Sequence, residues 1–399
     1  MNRPARRCAA VLAAALLATV AGCGVSADPP RSKDPEHGGN PVTERARARS
    51  DAERAFTLLA TGDLLVHDSI IRQAKADARG GGYDFRRILS PAKPLATRAD
   101  LAICHMETVY GPDGGPFSGY PAFETPPQLA ASVRATGYDS CSTASNHTLD
   151  AGAEGVSRTL RAMGRAGLRH VGSARSETER TRPAVMRAGG ATVAQLAYTY
   201  GTNGIPVPRG KPWLVNLIDP DRIIADARAA RRAGADVVVA SLHWGTEWQE
   251  APDARQRSVA RRLTASRSDG RRDIDLILGT HAHVPQAYEK VNGTWVVYGM
   301  GDQIAGKMND PRGTMGSAAR FTFAPPKGDG DEWRVTRAGY TPFLMETSPR
   351  HRLINLAATS AGKSGKLGKQ HGERAQAYRA IRKAVLSRGA ARDGLRMLR

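Results

Sequence analysis

Asp63, Glu107, the pair Asn146-His147, His243 and the triplet His281-Ala282-His283 each close a short apolar run of the 399-residue chain. Six of the ten histidines, at 67, 105, 147, 243, 281 and 283, stand at or beside these run ends. Carboxylates, imidazoles and an amide oxygen make up the ligand set of Mn, Fe, Zn or Mg ions. Two such ions can clamp a phosphoryl group, with a carboxylate between them to lower their repulsion and water made nucleophilic near neutral pH. Each residue also has an ordinary role: Asp63 capping a helix, Asn146 turning a loop, His243 satisfied in a core. The His281-x-His283 spacing is weak alone, although residues two apart in extended backbone project to one side. Their recurrence at successive strand ends is the stronger sign, because loops at the C-terminal edge of an α/β sheet converge on one crevice.

Each of these residues needs an element behind it. Apolar runs predict strands at Phe56–Asp63, Ala99–Glu107, Tyr138–Ser145, Asp236–Gly245 and Ile274–Leu278, the last ended by Gly279. Between them, start and stop signals predict helices near Asp68–Ala78, Pro127–Thr136, Glu154–Arg165, Asp219–Arg232 and Ala254–Ala265. Gly189-Gly190 separates two β-rich runs, Ala184–Arg187 and Thr192–Tyr200, and Asn292-Gly293 is a strong hairpin signal. Further strands are expected at Val296–Asp302 and Ala318–Ala324. Strands alternating with helices and then hairpins give an α/β chain with a mixed sheet, or two packed sheets with helices outside.

The motifs Gly62-Asp63, His105-Met-Glu107-Thr108, Ser145-Asn146-His147-Thr-Leu-Asp150, His243-Trp-Gly-Thr-Glu247, Gly279-Thr-His281-Ala-His283-Val-Pro-Gln286 and Tyr298-Gly-Met-Gly-Asp302 follow one another from about Phe56 to Ile304. In this order and spacing the chain resembles the CapA family of bacterial capsule or poly-γ-glutamate synthesis proteins, related to calcineurin-like metallophosphoesterases. The resemblance implies a four-layer α/β/β/α sandwich, metallophosphoesterase-like, and one or two divalent ions (Mn, Fe or Zn). It implies that Asp63 and His283 serve one metal with Glu107 in the bridging place, and that Asn146, His243 and His281 serve the second. His147, oriented by Asp150, would face the substrate as general acid. Two departures stand out. The phosphoesterase pattern opens Asp-x-His, whereas here His67 lies four residues after Asp63, either a substitute ligand or a lining of the cleft. The usual Gly-Asp-x-x-Asp is replaced by the Glu107 stretch. Trp244 and Glu247 are candidates for the substrate wall, with core packing the alternative for Trp244.

The two ends of the chain differ from its middle. Residues 1–22 read as a signal peptide, basic at Arg3, Arg6 and Arg7 and apolar from Ala9 to Ala21. Val20-Ala21-Gly22-Cys23 resembles a lipobox, which implies a lipidated Cys23 and a bacterial membrane lipoprotein facing outward from the cytoplasm, the alternative being a plain secretory signal or a short membrane anchor. Residues 23–54 read as a flexible linker, 55–346 as the CapA-type domain and 347–399 as a basic tail. The net charge of +20 collects at the signal and the tail, leaving the middle ordinary, so nucleic acid is not an expected partner. A helix over Arg374–Arg388 has Tyr378, Ile381 and Val385 on one face; it either docks on the domain, lies free, or meets anionic lipid or polymer. Cys104 and Cys141 are either a disulfide or two buried thiols.

Three functions fit these residues: a metal-dependent phosphoester hydrolase, a non-catalytic subunit handling an anionic envelope polymer beside other capsule-synthesis subunits, or a hydrolase of an amide bond in such a polymer. A ligand set complete with the His147–Asp150 pair favours catalysis.

Overall fold

The computed structural model describes residues 53–328, 331–359 and 369–398; the expected signal peptide, Cys23 and nearly all of the linker lie outside them. In chain order the principal strands are β1 (Phe56–Leu64), β2 (Leu101–Met106), β3 (Ser140–Ser142), β4 (Arg169–Val171), β5 (Ala184–Ala188), β6 (Ala191–Thr199), β7 (Val237–Trp244) and β8 (Leu276–His281). They continue as β9 (Tyr288–Val291), β10 (Thr294–Val297), β11 (Asp302–Ile304), β12 (Met315–Ala324), β13 (Arg334–Glu346), β14 (Arg352–Asn355) and β15 (Leu395–Met397). The longer helices are α1 (Asp68–Asp77), α2 (Gln128–Thr136), α3 (Gly152–Arg165), α4 (Pro220–Arg232), α5 (Ala254–Ala265) and α6 (Lys369–Leu386).

These strands build two sheets. One runs β14-β13-β12-β1-β2-β3-β4, with β11 also paired to β1 and β15 to β13; the other runs β9-β10-β8-β7-β6-β5. Period-two alternation sorts each strand's side chains between two cores. Phe56, Leu58, Leu101 and Ile103 of the first sheet meet Val237, Val239, Leu276 and Leu278 of the second in the inter-sheet core. Leu59, Ala102 and Met106 point the other way, onto Ile70, Leu129, Val133 and Met163 of α1, α2 and α3. Val238, Ala240 and Leu242 pack beneath Ile223, Ala227, Val259 and Leu263 of α4 and α5. Helix, sheet, sheet, helix is the four-layer α/β/β/α sandwich that the motifs imply. Because β1, β2 and β3 are mutually parallel, as are β6, β7 and β8, their C-terminal ends gather at one edge of each sheet.

Glycine permits the closest approach at that edge. A Cβ on Gly62 would overlap the carbonyl oxygen of Gly301, which precedes Asp302, and one on Gly279 would overlap the Tyr298 carbonyl. Gly62→Ala is therefore expected to push β1 from β11, lowering the thermal midpoint by the equivalent of about 3 kcal/mol or more, as a calorimetric scan would read.

The sequence read residues 347–399 as a tail; the described parts of it are packed into the larger sheet. β14 pairs with β13 antiparallel, and β15 pairs with it parallel through Ala338, Gly339 and Tyr340. Ala377, Ile381 and Val385 of α6 enter the inter-sheet core beside Tyr340 and Leu344. The apolar stripe of α6 is thus spent on the protein's own sheet. Long β13, with no clean alternation at its exposed start, and short β14 and β15 went unread. Cys104 and Cys141, register partners on β2 and β3 with Cα atoms 4.4 Å apart, form a disulfide. Among the described residues no helix is long and apolar enough to cross a membrane.

Candidate metal centre

The strand ends deliver their polar residues into one buried cluster. Asp63 lies one residue before the end of β1, His105 and Glu107 flank the end of β2, His243 lies near the end of β7, His281 ends β8, and Asp302 opens β11. The Asp63 carboxylate lies 3.7 Å from His105 Nε2, 3.8 Å from His243 Nδ1 and 4.0 Å from His283 Nδ1. Glu107 Oε1 lies 3.7 Å from His243 Nε2 and 3.8 Å from His283 Nε2. His283 Nδ1 is 3.0 Å from Asp302 Oδ1. Ligand atoms within 4.8 Å of one another fall into three overlapping sets: Asp63, His105 and His243; Glu107, His281 and His283; and Asp63, Glu107, His283 and Asp302.

Partners outside the cluster hold these groups still. Asn146 Oδ1 lies 2.8 Å from His243 Nε2, while its Nδ2 donates to Asn203 Oδ1 at 3.1 Å, so the amide oxygen is the atom turned inward. Thr280 Oγ1 meets His243 Nδ1, and Ser142 Oγ meets His105 Nδ1. The paired histidines are not placed by extended backbone as the spacing suggested. His281 has φ 91° and His283 φ 52°, so two left-handed turns aim them, and the His281 amide donates to Asp63 Oδ2 at 3.1 Å. Left-handed backbone is costly for residues with a Cβ, and such strain concentrates at sites where geometry matters more than stability.

Charges in the cluster are far from their ordinary state. Burial, with Asp302 close by, pushes the Asp63 carboxyl up to about 8. Burial and the neighbouring Asp63 raise Glu107 well above the carboxylate range, and burial raises Asp302. Burial drives His105 down to about 3 and His243 and His281 well below the ordinary imidazole value. Burial opposes charge on His283 too, but Asp302 and Glu107 lift it well above normal. Carboxylates pushed up in pKa beside three imidazoles pushed down describe a site deficient in positive charge.

A divalent ion fits that deficiency. Asp63 Oδ1, His105 Nε2, both oxygens of Glu107, His281 Nδ1 and Asp302 Oδ2 are buried and have no hydrogen-bond partner. Unpaired buried polar atoms are costly, and here they crowd one place, as ligands do.

Of the residues singled out from sequence, Asp63, Glu107, His243, His281 and His283 meet in the cluster, and Asn146 touches it through His243. His147 stands beside it with Nδ1 2.7 Å from Asp150 Oδ2, which also accepts from the Phe123 amide at 2.8 Å. His67 belongs to none of the ligand sets: its Nδ1 accepts from the Gly306 amide at 3.1 Å, and its ring meets Phe123 edge-on, so it lines the cleft. Trp244 is a correction to the substrate-wall reading. It is buried in the core beneath α4 and α5, its Nε1 donating to the Tyr298 carbonyl at 2.9 Å, because alternation along β7 turns it away from the face that His243 occupies. Glu247 is exposed. The aromatic residues at the site are instead Trp248, whose ring is 5.5 Å from that of His283, and Tyr200, whose ring is 4.4 Å from that of His281. Sequence reading missed His105 and Asp302 as candidate ligands. His105 stands two residues before Glu107 on the same strand, and Gly301-Asp302 repeats the Gly62-Asp63 pattern; those were the available signals.

Residues 57–307 match the family described as bacterial capsule synthesis protein PGA_cap. Over 163 residues the chain is 30% identical to the PGA biosynthesis protein CapA of Bacillus subtilis, covering 40% of this chain and 41% of that one. Over 181 residues it is 27% identical to the capsule biosynthesis protein CapA of Bacillus anthracis, covering 44% and 42%. The chain thus spans about two fifths of the length of these curated relatives. A calcineurin-like phosphoesterase of Bacillus subtilis superposes at TM-score 0.44 and 15% identity, over 82% of this chain and 97% of that one. The NAD nucleotidase of Haemophilus influenzae superposes at TM-score 0.45 and 14% identity, over 83% and 56%. With 57–307 accounting for well over half of its length, and with those motifs lining a buried cluster of carboxylates and imidazoles, this chain belongs to the PGA_cap family of bacterial capsule synthesis proteins.

Proposed function

We propose that the chain is a metal-dependent hydrolase of the cell envelope, anchored to the membrane through Cys23 and acting on a phosphoester in capsule or poly-γ-glutamate assembly. The observation that carries this reading is the convergence of buried, unpartnered ligand atoms from Asp63, His105, Glu107, His281 and Asp302. Ions held there by these residues with His243, His283 and Asn146 would supply Lewis-acid polarisation of a phosphoryl oxygen and a reactive water at neutral pH. The chain's own contribution is positional. Asp150 accepts from His147 Nδ1 and so leaves Nε2 as the nitrogen able to give a proton to a departing oxygen. Asn203 keeps the Asn146 oxygen turned inward, and Phe123, 4.7 Å from the His147 ring, walls that side from water.

The test is hydrolysis of bis(p-nitrophenyl) phosphate by the full chain in detergent, with Mn, Fe or Zn supplied in turn. Turnover that needs the ion and disappears with chelator is expected. Metal retained without turnover on phosphodiesters, phosphomonoesters or a γ-glutamyl amide would favour the second reading, a polymer-handling subunit whose metal is structural.

A further inference from the structure

The cluster is short of positive charge in an unusual way. Among the described residues, the basic partners within 4.0 Å of Asp63, Glu107 and Asp302 are histidines alone. Glu247 adds negative charge near Glu107 and Asp302. Asp63, Glu107 and Asp302 would offset most of the charge of two divalent ions, and Glu247 would offset what remains. A site meant for a multiply charged anion is ordinarily lined by Arg or Lys that neutralise it.

Beside the cluster is a rigid corner. Trp248 sits at φ 67°, an outlier for a bulky side chain, and is held on three sides. Its amide donates to the Ala282 carbonyl at 2.9 Å, and its carbonyl accepts from Arg312 Nη2 at 3.1 Å. Its indole lies against Gly313, where a Cβ would collide with it. Arg312 is itself fixed by Asp310 and Glu250, so the loop after β7 and the loop after β11 are tied together there. Tyr200, half-buried with its hydroxyl on Asn203, flanks His281 as Trp248 flanks His283, and the two imidazoles are 5.8 Å apart. Glu247 precedes Trp248 and is exposed, and it also acts on Tyr200. An aromatic ring on each imidazole, with Glu247 adjoining Trp248 in sequence and in no ion pair among the described residues, supplies the ingredients of an ammonium site.

We infer that Glu247, Trp248 and Tyr200 select a substrate whose group next to the reacting bond carries a positive charge, an ammonium. This rests on the hydrolase reading and narrows its substrate class. For a zwitterionic phosphodiester, water adds across the P–O bond to the better leaving group, while the ammonium arm stays against the corner.

The experiment compares wild-type and Glu247→Gln full-length protein on p-nitrophenyl phosphorylcholine, which bears the cation, and bis(p-nitrophenyl) phosphate, which does not. Glu247 is exposed, so the variant should fold. On the choline ester kcat/KM should fall about five- to tenfold through KM; on the diaryl ester it should rise about two- to fivefold as repulsion is relieved. A second readout needs no turnover: calorimetric titration with tetramethylammonium should show binding to wild type that weakens about fivefold in Glu247→Gln and is lost in Trp248→Leu. Parallel changes on both esters, or tetramethylammonium bound no better by wild type than by Glu247→Gln, would overturn the inference. If wild type hydrolyses neither ester with any ion, the hydrolase reading fails while the titration still decides the corner.

Discussion

Replacing Glu107 by Gln should weaken divalent-metal binding by at least about 100-fold while making the metal-free protein more stable than metal-free wild type. Both oxygens of Glu107 are buried without a hydrogen-bond partner, and burial and Asp63 raise its pKa well above normal. A neutral amide of the same shape removes the charge the metal needs and the charge the empty fold tolerates badly, so the effects have opposite signs. Metal-titrated calorimetry measures the first and chelated thermal unfolding the second. The pH dependence of the metal-free wild type follows the same logic. Asp63, raised to about 8, holds its proton in the folded state over a range where the unfolded chain has lost it. Where the native state binds more protons, stability falls as pH rises. Above about pH 7 the histidines with lowered values are neutral in both states and drop out. Stability of the metal-free protein should therefore decline between about pH 7 and 8, and added divalent metal should flatten that decline. Glu107→Gln that lost stability without chelator-dependent differences would show the carboxylate to be a structural group only.

The second large effect is expected at His147. His147→Ala should reduce kcat about 10²- to 10⁴-fold while leaving metal content unchanged, because the ring stands beside the ligand sets and not within them. Asp150→Asn should give a smaller loss in kcat, since Asp150 acts through the imidazole and also receives the Phe123 amide. A substrate with a p-nitrophenolate leaving group, which departs without a proton, should lose far less in His147→Ala than one with an alkyl leaving group. Equal losses on both would remove His147 from the role of proton donor.

Much of this architecture is legible along the chain because it is locally encoded. The runs at Phe56 and Asp236, the Gly189-Gly190 and Asn292-Gly293 turns and the helix Ala254–Ala265 carry their patterns within a dozen residues, and the elements stand where those patterns put them. The site was legible to the extent that it consists of strand ends, and so Asp63, Glu107, Asn146, His243, His281 and His283 could be collected in advance. What stayed hidden depends on contacts between distant segments. Asp302 becomes a neighbour of Asp63 only because β11 pairs with β1, and no local pattern announces a three-residue parallel strand. His105 is indistinguishable from a core histidine until β1 is seen beside β2. Trp244 and Trp248 lie four residues apart, and only the first was a candidate for the wall; a strand sends it into the core, while a left-handed turn sends Trp248 to the cleft. The C-terminal segment reads as basic tail because charge dominates its composition, yet Ala377, Ile381 and Val385 suffice to seat it in the core. Membrane attachment through Cys23 rests on the motif at residues 20–23 and is tested by whether Cys23→Ser releases the protein from the membrane fraction.

The central claim is that this buried cluster is a metal centre. Elemental analysis of the purified full chain, beside His281→Ala and His283→Ala variants, tests it most directly. About one or two equivalents of Mn, Fe or Zn in wild type, reduced in both variants, is the expected result. Wild type that holds no divalent metal after reconstitution with each ion, or variants that hold as much as wild type, would contradict it.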